Sequence, residues 1–191
     1  ATSGATVGHG LGGELDFLIV KSINLAQAWN VYVKGVTNTN AKYFRLNESN
    51  GIYSTANPRF IVGNFNDNVF SLGSDNATNG NNDEYIGYCF KSITGYSKVG
   101  KYTGTGVSGL EVTLDFSPSF LLLKGVGATG WIIIDNQRPT PGGNYELYPN
   151  LSNAEDTSAT SLLLGTNKFT VNSTGTWHNT NGTDYIYLAI K

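Results

Sequence analysis

The apolar residues of this chain fall into short runs with the spacing of β-strands. The segments 17–21 (FLIVK) and 120–124 (FLLLK) are continuously apolar up to a final lysine, which is typical of a strand buried on both faces. The segment 29–33 (WNVYV) instead alternates between two faces. The best helical candidate is a weak pattern at 153–159 (NAEDTSA). The pattern therefore predicts an all-β protein.

The same series of strands occurs twice, with matching positions about one hundred residues apart. In each copy an apolar run is followed by a tryptophan that opens the next strand, and a tyrosine-rich strand comes last. The matching residues are Phe17 and Phe120, Trp29 and Trp131, Phe70 and Phe169, and Tyr85 and Tyr185. Landmarks in one order with nearly constant spacing indicate an internal duplication, with copies at about 8–93 and 104–191.

The two copies predict a β-sandwich of jelly-roll or lectin type. We expect one compact body over 1–191, because a chain of this size favours a shared core. The alternative is two small sandwiches joined at 94–103. In each copy, the loop before the last strand is rich in turn-forming residues. These loops, at 75–83 and 173–183, predict that each copy closes with a β-hairpin.

Composition narrows the range of partners. Charged residues make up 14% of the chain and the formal net charge is −2, without a run of basic residues. We therefore expect no nucleic-acid partner, because phosphate binding needs a basic surface. No apolar segment approaches the roughly 20 residues of a membrane-spanning helix, so no membrane insertion is expected. The single cysteine, Cys89, cannot form an internal disulfide and is expected to be a small buried apolar residue.

The sequence offers few residues for catalysis or metal binding. His9 and His178 are the only histidines and lie far apart in sequence, so no transition-metal site is predicted. Asp75, Asp83 and Glu84 could supply oxygen ligands to a weak calcium site, although a solvated loop is the simpler interpretation. No nucleophile–base motif is present, and most acidic residues lie at turns. We therefore expect neither enzymatic activity nor a cofactor.

The loop at 173–183 (STGTWHNTNGT) is the strongest candidate for a binding site. Sugar sites often combine an exposed aromatic face with polar side chains and backbone groups. We assign a ligand-binding or interface role to four residues of this loop, Trp177, His178, Asn179 and Asn181. Trp177 either packs against the body of the protein or faces a partner, whereas Trp29 and Trp131 are expected to be packing residues because both copies have one.

The landmark segments resemble a repeated β-rich domain of uncharacterised function found in tail and other virion proteins of bacteriophages, particularly marine ones. The resemblance covers essentially the whole chain. It is carried by DFLIVK with Trp29 downstream, by GYSKVGKYTG at 95–104, and by the terminal strands that begin YI, at 85 and 185. The second copy departs from the first after Trp131, so a site at that strand end need not occur in both copies.

The resemblance implies a protein of the virion, outside the cell, and supplies no catalytic residues. The leading hypothesis is a non-enzymatic tail-fibre or appendage module that contacts the host surface, with a glycan as one candidate receptor, or other virion subunits. The alternative is a capsid decoration or head-fibre protein with a purely architectural role. A surface-polysaccharide hydrolase is the remote alternative. A homo-oligomer is expected in each case.

Overall fold

The computed structural model describes residues 2–140 and 143–191 and shows an all-β protein. The chain divides into two compact units, unit 1 (Ala1–Lys91) and unit 2 (Ser92–Lys191), and each has a hydrophobic cluster of its own. A single body with a shared core stays a prediction. Among the described residues, no helix is long and apolar enough to cross a membrane.

Unit 1 consists of two antiparallel sheets. Its strands are β1 (Ala5–Gly8), β2 (Phe17–Ser22), β3 (Asn30–Val33), β4 (Lys42–Arg45), β5 (Tyr53–Ser54), β6 (Val69–Leu72) and β7 (Tyr85–Phe90). A 3-10 turn, η1 (Val62–Asn64), precedes β6, and a one-turn helix, α1 (Asn76–Asn79), precedes β7. The large sheet has the order β5-β4-β3-β2-β7, and β1 pairs with β6 in the small sheet.

The core of unit 1 lies between these two sheets. Leu18 and Tyr32 of the large sheet form one cluster with Phe60, Phe70 and Leu72 on the side of the small sheet. Within β2 all four residues from Phe17 to Val20 are buried. This confirms the prediction of a strand covered on both faces.

Unit 2 has the same two-layer plan, with four strands in its large sheet where unit 1 has five. Its strands are β8 (Ser97–Thr103), β9 (Leu110–Thr113), β10 (Phe120–Gly125), β11 (Trp131–Asp135), β12 (Pro139–Thr140), β13 (Gly143–Asn144), β14 (Leu162–Gly165), β15 (Lys168–Val171) and β16 (Asp184–Ile190). The large sheet is β11-β10-β16-β8, the second sheet is β14-β15-β9, and β12 pairs with β13. Side chains of the first two sheets, including Leu121, Tyr185 and Phe169, form the core.

The strand pairings match between the units. The triplet β3-β2-β7 of unit 1 corresponds to β11-β10-β16 of unit 2, and β1-β6 corresponds to β9-β15. We interpret this agreement as the structural counterpart of the internal duplication.

Three expectations from the sequence need correction. The predicted closing hairpins do not form, because β6 pairs with β1 and β7 pairs with β2, and likewise β15 pairs with β9 and β16 with β10. The segment 94–103 is not a linker, since β8 pairs with β16 along its whole length. The segment 153–159 contains no helix, and the single α-helical turn among the described residues lies instead at Asn76–Asn79, where Asp75 caps its first turn.

Candidate functional site

A turn at 176–180, just before β16, positions the residues of the predicted binding loop. The Tyr185 hydroxyl donates a hydrogen bond to the carbonyl oxygen of Thr176 at 2.8 Å and accepts one from the backbone N–H of Thr180 at 2.9 Å. Tyr85 holds the matching turn of unit 1, between Asn76 and Gly80, with two bonds of 2.6 Å. One tyrosine at the start of the last strand, half-buried in unit 1 and fully buried in unit 2, thus anchors the turn in each unit.

Asn179 serves this turn rather than a ligand. It is fully buried, and its side-chain amide donates to the carbonyl oxygens of Val107 at 2.7 Å and Ser173 at 3.0 Å. Its Oδ1 accepts from the N–H of Thr105 at 2.7 Å. Its amide hydrogens and carbonyl oxygen are therefore all engaged within unit 2. Asn181, two residues further on, is exposed.

His178 lies against a buried carboxylate. Its Nε2 atom is 3.2 Å from Oε1 of Glu146, which is 2% exposed. The carbonyl oxygen of His178 accepts a hydrogen bond from the Tyr102 hydroxyl at 2.5 Å, which fixes the backbone at this point. A carboxylate buried to this extent needs such partners, because an unpaired buried charge is strongly unfavourable.

Tyr148 joins Glu146 to a second carboxylate. Its hydroxyl lies 3.0 Å from Oε2 of Glu146 and 3.5 Å from Oδ2 of Asp156. Burial, together with the neighbouring Glu146 carboxylate, raises the pKa of Tyr148 above its ordinary value. Hydrogen bonds from the side chain and backbone of Ser158 lower the pKa of Asp156. We call Glu146, Tyr148, Asp156 and His178 the carboxylate–tyrosine cluster.

The indole of Trp177 borders this cluster. It is half-buried, and its ring meets the Tyr148 ring edge-to-face with centroids 5.5 Å apart. Gly130 lies directly beneath it, so close that a Cβ at this position would be 2.6 Å from the indole Cζ3 atom. Trp177 therefore packs part of its ring against unit 2, and the rest of this half-buried side chain stays exposed.

The arrangement can accept hydrogen bonds from a polar ligand. A phenol has one proton, so the Tyr148 hydroxyl can donate to only one of its two carboxylate neighbours at a time. Asp156, which is half-buried, then keeps acceptor capacity next to an aromatic ring. Two carboxylates that share a tyrosine hydroxyl beside a tryptophan form a polar site with an apolar wall.

The sequence profile of one protein family matches the whole chain, residues 1–191, and that family is described as a domain of unknown function (DUF7483). This chain belongs to the DUF7483 family. No curated protein and no solved structure matches it.

Unit 1 of this DUF7483 chain carries different chemistry at the matching place. Tyr43 and Tyr53 form a backbone pair there, as Glu146 and Asp156 do in unit 2, and their rings stack with centroids 5.4 Å apart. The Arg45 guanidinium lies 4.4 Å from the centre of the Tyr53 ring, and that of Arg59 lies 5.0 Å from the Tyr43 ring. The position is thus aromatic and cationic in unit 1 but acidic in unit 2.

The predicted calcium ligands have other roles in this DUF7483 chain. Asp75 caps α1 through the N–H of Ala77 and forms an ion pair with the largely buried Arg59. Asp83 accepts a hydrogen bond from Asn24 at 3.3 Å, and the backbone N–H of Glu84 donates to Asn24 Oδ1 at 3.2 Å. In the described part of the chain, no group of three or more His, Cys, Asp or Glu side chains is placed to hold a metal ion.

The cluster residues Glu146, Tyr148 and Asp156 were missed from the sequence. Asp156 lies in a polar segment without periodicity, and Glu146 lies in a short strand-like stretch (NYELYPN) whose acidic residue looks solvent-facing. The alignment of the two copies could have pointed to Glu146, because it matches Tyr43 of the first copy, which is buried. A charge that replaces a buried aromatic residue marks a position with a specific polar partner.

An open cleft of about 330 Å³ lies elsewhere in unit 2. It is lined by Ser92, Ile93, Thr94, Ser97, Lys98, Val99 and Asp115. The backbone N–H of Gly95 donates to Asp115 at 2.6 Å, so this carboxylate closes the turn at 93–97. No residue of the carboxylate–tyrosine cluster lines the cleft.

Proposed function

We propose that this chain is a non-enzymatic module of a bacteriophage virion, part of a tail fibre or appendage, that binds a glycan of the host surface through the carboxylate–tyrosine cluster and Trp177. The virion assignment rests on the resemblance of the landmark segments to phage structural proteins. The binding role rests on one observation, the Tyr148 hydroxyl shared by Glu146 and Asp156 beside the Trp177 ring.

The chemistry of the cluster suits a sugar. A pyranose presents weakly polar C–H groups on its faces and hydroxyl donors at its rim, so it favours an aromatic wall next to carboxylate acceptors. Trp177 and Tyr148 supply the wall. Asp156 is already oriented by Ser158, whose N–H and hydroxyl lie 2.9 and 2.8 Å from its Oδ1, so little ordering is needed on binding.

The test is binding of the purified chain to an array of bacterial surface polysaccharides. Asp156→Asn and Trp177→Ala should each weaken binding to the recognised polysaccharide by about tenfold, equivalent to about 1.4 kcal/mol. The control is Tyr53→Phe, at the position in unit 1 that matches Asp156. Unchanged affinity of both unit 2 variants, in chains with native far-UV circular dichroism, would contradict the proposal.

The same array distinguishes binding from hydrolysis. If the chain only binds, the polysaccharide keeps its length during incubation and no reducing ends are released. Release of reducing ends, abolished by Glu146→Gln, would replace the proposed role by that of a surface-polysaccharide hydrolase with Glu146 and Asp156 as its carboxylates.

An architectural role, as a capsid decoration or head-fibre subunit, is the second candidate. It is favoured by the exposed edge of β7, where Ile86 and Tyr88 are among the large apolar side chains left in contact with solvent.

A further inference from the structure

In the part of the chain that the structure describes, one edge of β7 pairs with no other strand. β7 is the last strand of the large sheet of unit 1, and β2 is its neighbour on the inner side. The N–H of Ile23 donates to the carbonyl oxygen of Glu84 at 2.8 Å, so these two residues are a hydrogen-bonded pair. Along β2 and β7, every second pair of opposite residues is of this kind. The backbone groups of Ile86 and Tyr88 therefore face β2, and those of Tyr85, Gly87 and Cys89 face outward.

β7 also lacks the features that usually protect an edge strand. Its sequence, YIGYCF, contains no charged residue and no proline. β8, the edge strand of the large sheet in unit 2, carries Lys98 and Lys101. At its start, the N–H groups of Ser97 and Val99 donate hydrogen bonds to Ile93 O and Ser92 Oγ. Natural edge strands are kept from pairing by such charges and covering loops, so β7 is built as a pairing surface.

The duplication shows that this edge of the fold can hold another strand. β16 matches β7, and it is paired on both sides, with β10 and with β8. The outer position next to β7 is the one that β8 occupies next to β16. An antiparallel strand at the edge of β7 would therefore complete a pairing that the fold already makes once.

We propose that β7 pairs antiparallel with β7 of a second copy of this chain, about a two-fold axis at Gly87. The outward residues are self-complementary in this register, because Tyr85 lies opposite Cys89 of the second copy and Gly87 lies opposite Gly87. All three pairs are of the hydrogen-bonded kind, each with two backbone bonds. A contact of a surface with itself is what a two-fold dimer requires.

The exposed side chains of β7 support this register. Ile86 is 39% exposed and Tyr88 is 40% exposed, and the register places Ile86 of each copy opposite Tyr88 of the other. A β-branched residue opposite an aromatic one is a favourable cross-strand pair. The half-buried Trp29 stacks on Tyr88 with ring centroids 6.2 Å apart, and so extends the apolar contact.

Disulfide trapping tests the register directly. In a Cys89→Ala background, we would mix the Ile86→Cys and Tyr88→Cys variants under mild oxidation. Opposite residues of a non-hydrogen-bonded pair have Cα atoms about 4.5 Å apart, within the range that a disulfide spans. The mixture should give a cross-linked dimer, whereas either variant alone should give little. No cross-link in the mixture, or equal cross-linking of one variant by itself, would overturn the proposal.

Sedimentation velocity tests the dimer without cross-linking. The wild-type chain should sediment as a dimer, and Ile86→Lys should sediment as a monomer with native far-UV circular dichroism, since the side chain it replaces is exposed in the single chain. Val107→Lys, at a position 67% exposed in unit 2, is the matched control and should stay dimeric. A monomeric wild type overturns the proposal, even if a peptide with the β8 sequence binds to it. Glycan binding is measured separately, so the failure of one proposal does not affect the other.

Discussion

At the scale of single residues, burial gives Lys124 unusual chemistry. The side chain is fully buried, and its Nζ atom donates to the carbonyl oxygens of Gly127 at 3.0 Å and Thr129 at 2.6 Å. Lys21 occupies the same position in unit 1 and donates to the carbonyl oxygen of Leu25 at 3.1 Å, but it is only half-buried. Burial lowers the pKa of Lys124 from 10.5 to about 8.

This pKa predicts a rise in stability with pH. Between pH 8 and 10.5, the unfolded chain binds a proton at Lys124 that the folded chain has released, so the free energy of unfolding increases through this window by up to about 3 kcal/mol. Urea unfolding of Lys124→Met should lack this increase, and Lys21→Met should keep it. An identical pH profile for the wild type and Lys124→Met would show that the folded pKa of Lys124 is close to its ordinary value.

Gly130 is a second residue whose size matters. We expect Gly130→Ala to lower the free energy of unfolding by about 1–3 kcal/mol, because its Cβ would overlap the Trp177 ring. The change should also shift the tryptophan fluorescence maximum. Gly127→Ala, where a Cβ meets nothing within 4 Å, is the control and should have little effect on either property.

At the scale of elements, local pattern identified the strands but not their partners. The runs at 17–21 and 120–124 became β2 and β10, as predicted. The hairpins failed because β7 and β16 pair across the sheet with β2 and β10, far away in sequence. Turn-rich loops between two strands indicate a change of direction, but they do not say whether the chain returns to the same sheet or crosses to the other layer.

The loops are instead held by tyrosine hydroxyls, which gives a prediction for each unit. Tyr85→Phe and Tyr185→Phe each remove two hydrogen bonds to the backbone of the preceding turn, and each should destabilise the chain by about 1–3 kcal/mol in urea unfolding. Tyr96→Phe, at a position 54% exposed, should be neutral. A neutral Tyr185→Phe would show that the turn at 176–180 is stable without the hydroxyl.

At the scale of the whole molecule, the two units share strand pairings but differ in side-chain chemistry. Matching positions carry stacked tyrosines and arginines in unit 1 and the carboxylate–tyrosine cluster in unit 2. We expect Arg45→Ala to destabilise the chain by about 1 kcal/mol, through loss of the contacts with Tyr53 and Glu48, and to leave glycan binding unchanged. Thermal unfolding and the polysaccharide array check the two effects. Loss of binding in Arg45→Ala would place recognition in unit 1 instead.

The sequence by itself determined the all-β class, the central apolar strands and the repeated landmarks, because these depend on the local spacing of apolar residues. It also singled out the loop that contains Trp177 and His178. Only the tertiary structure decided which side chains meet there, since Glu146, Asp156 and His178 come from separate segments brought together by strand pairing. The open edge of β7 was likewise decided by sheet order, because an unpaired edge follows from non-local hydrogen bonding and not from the composition of the strand.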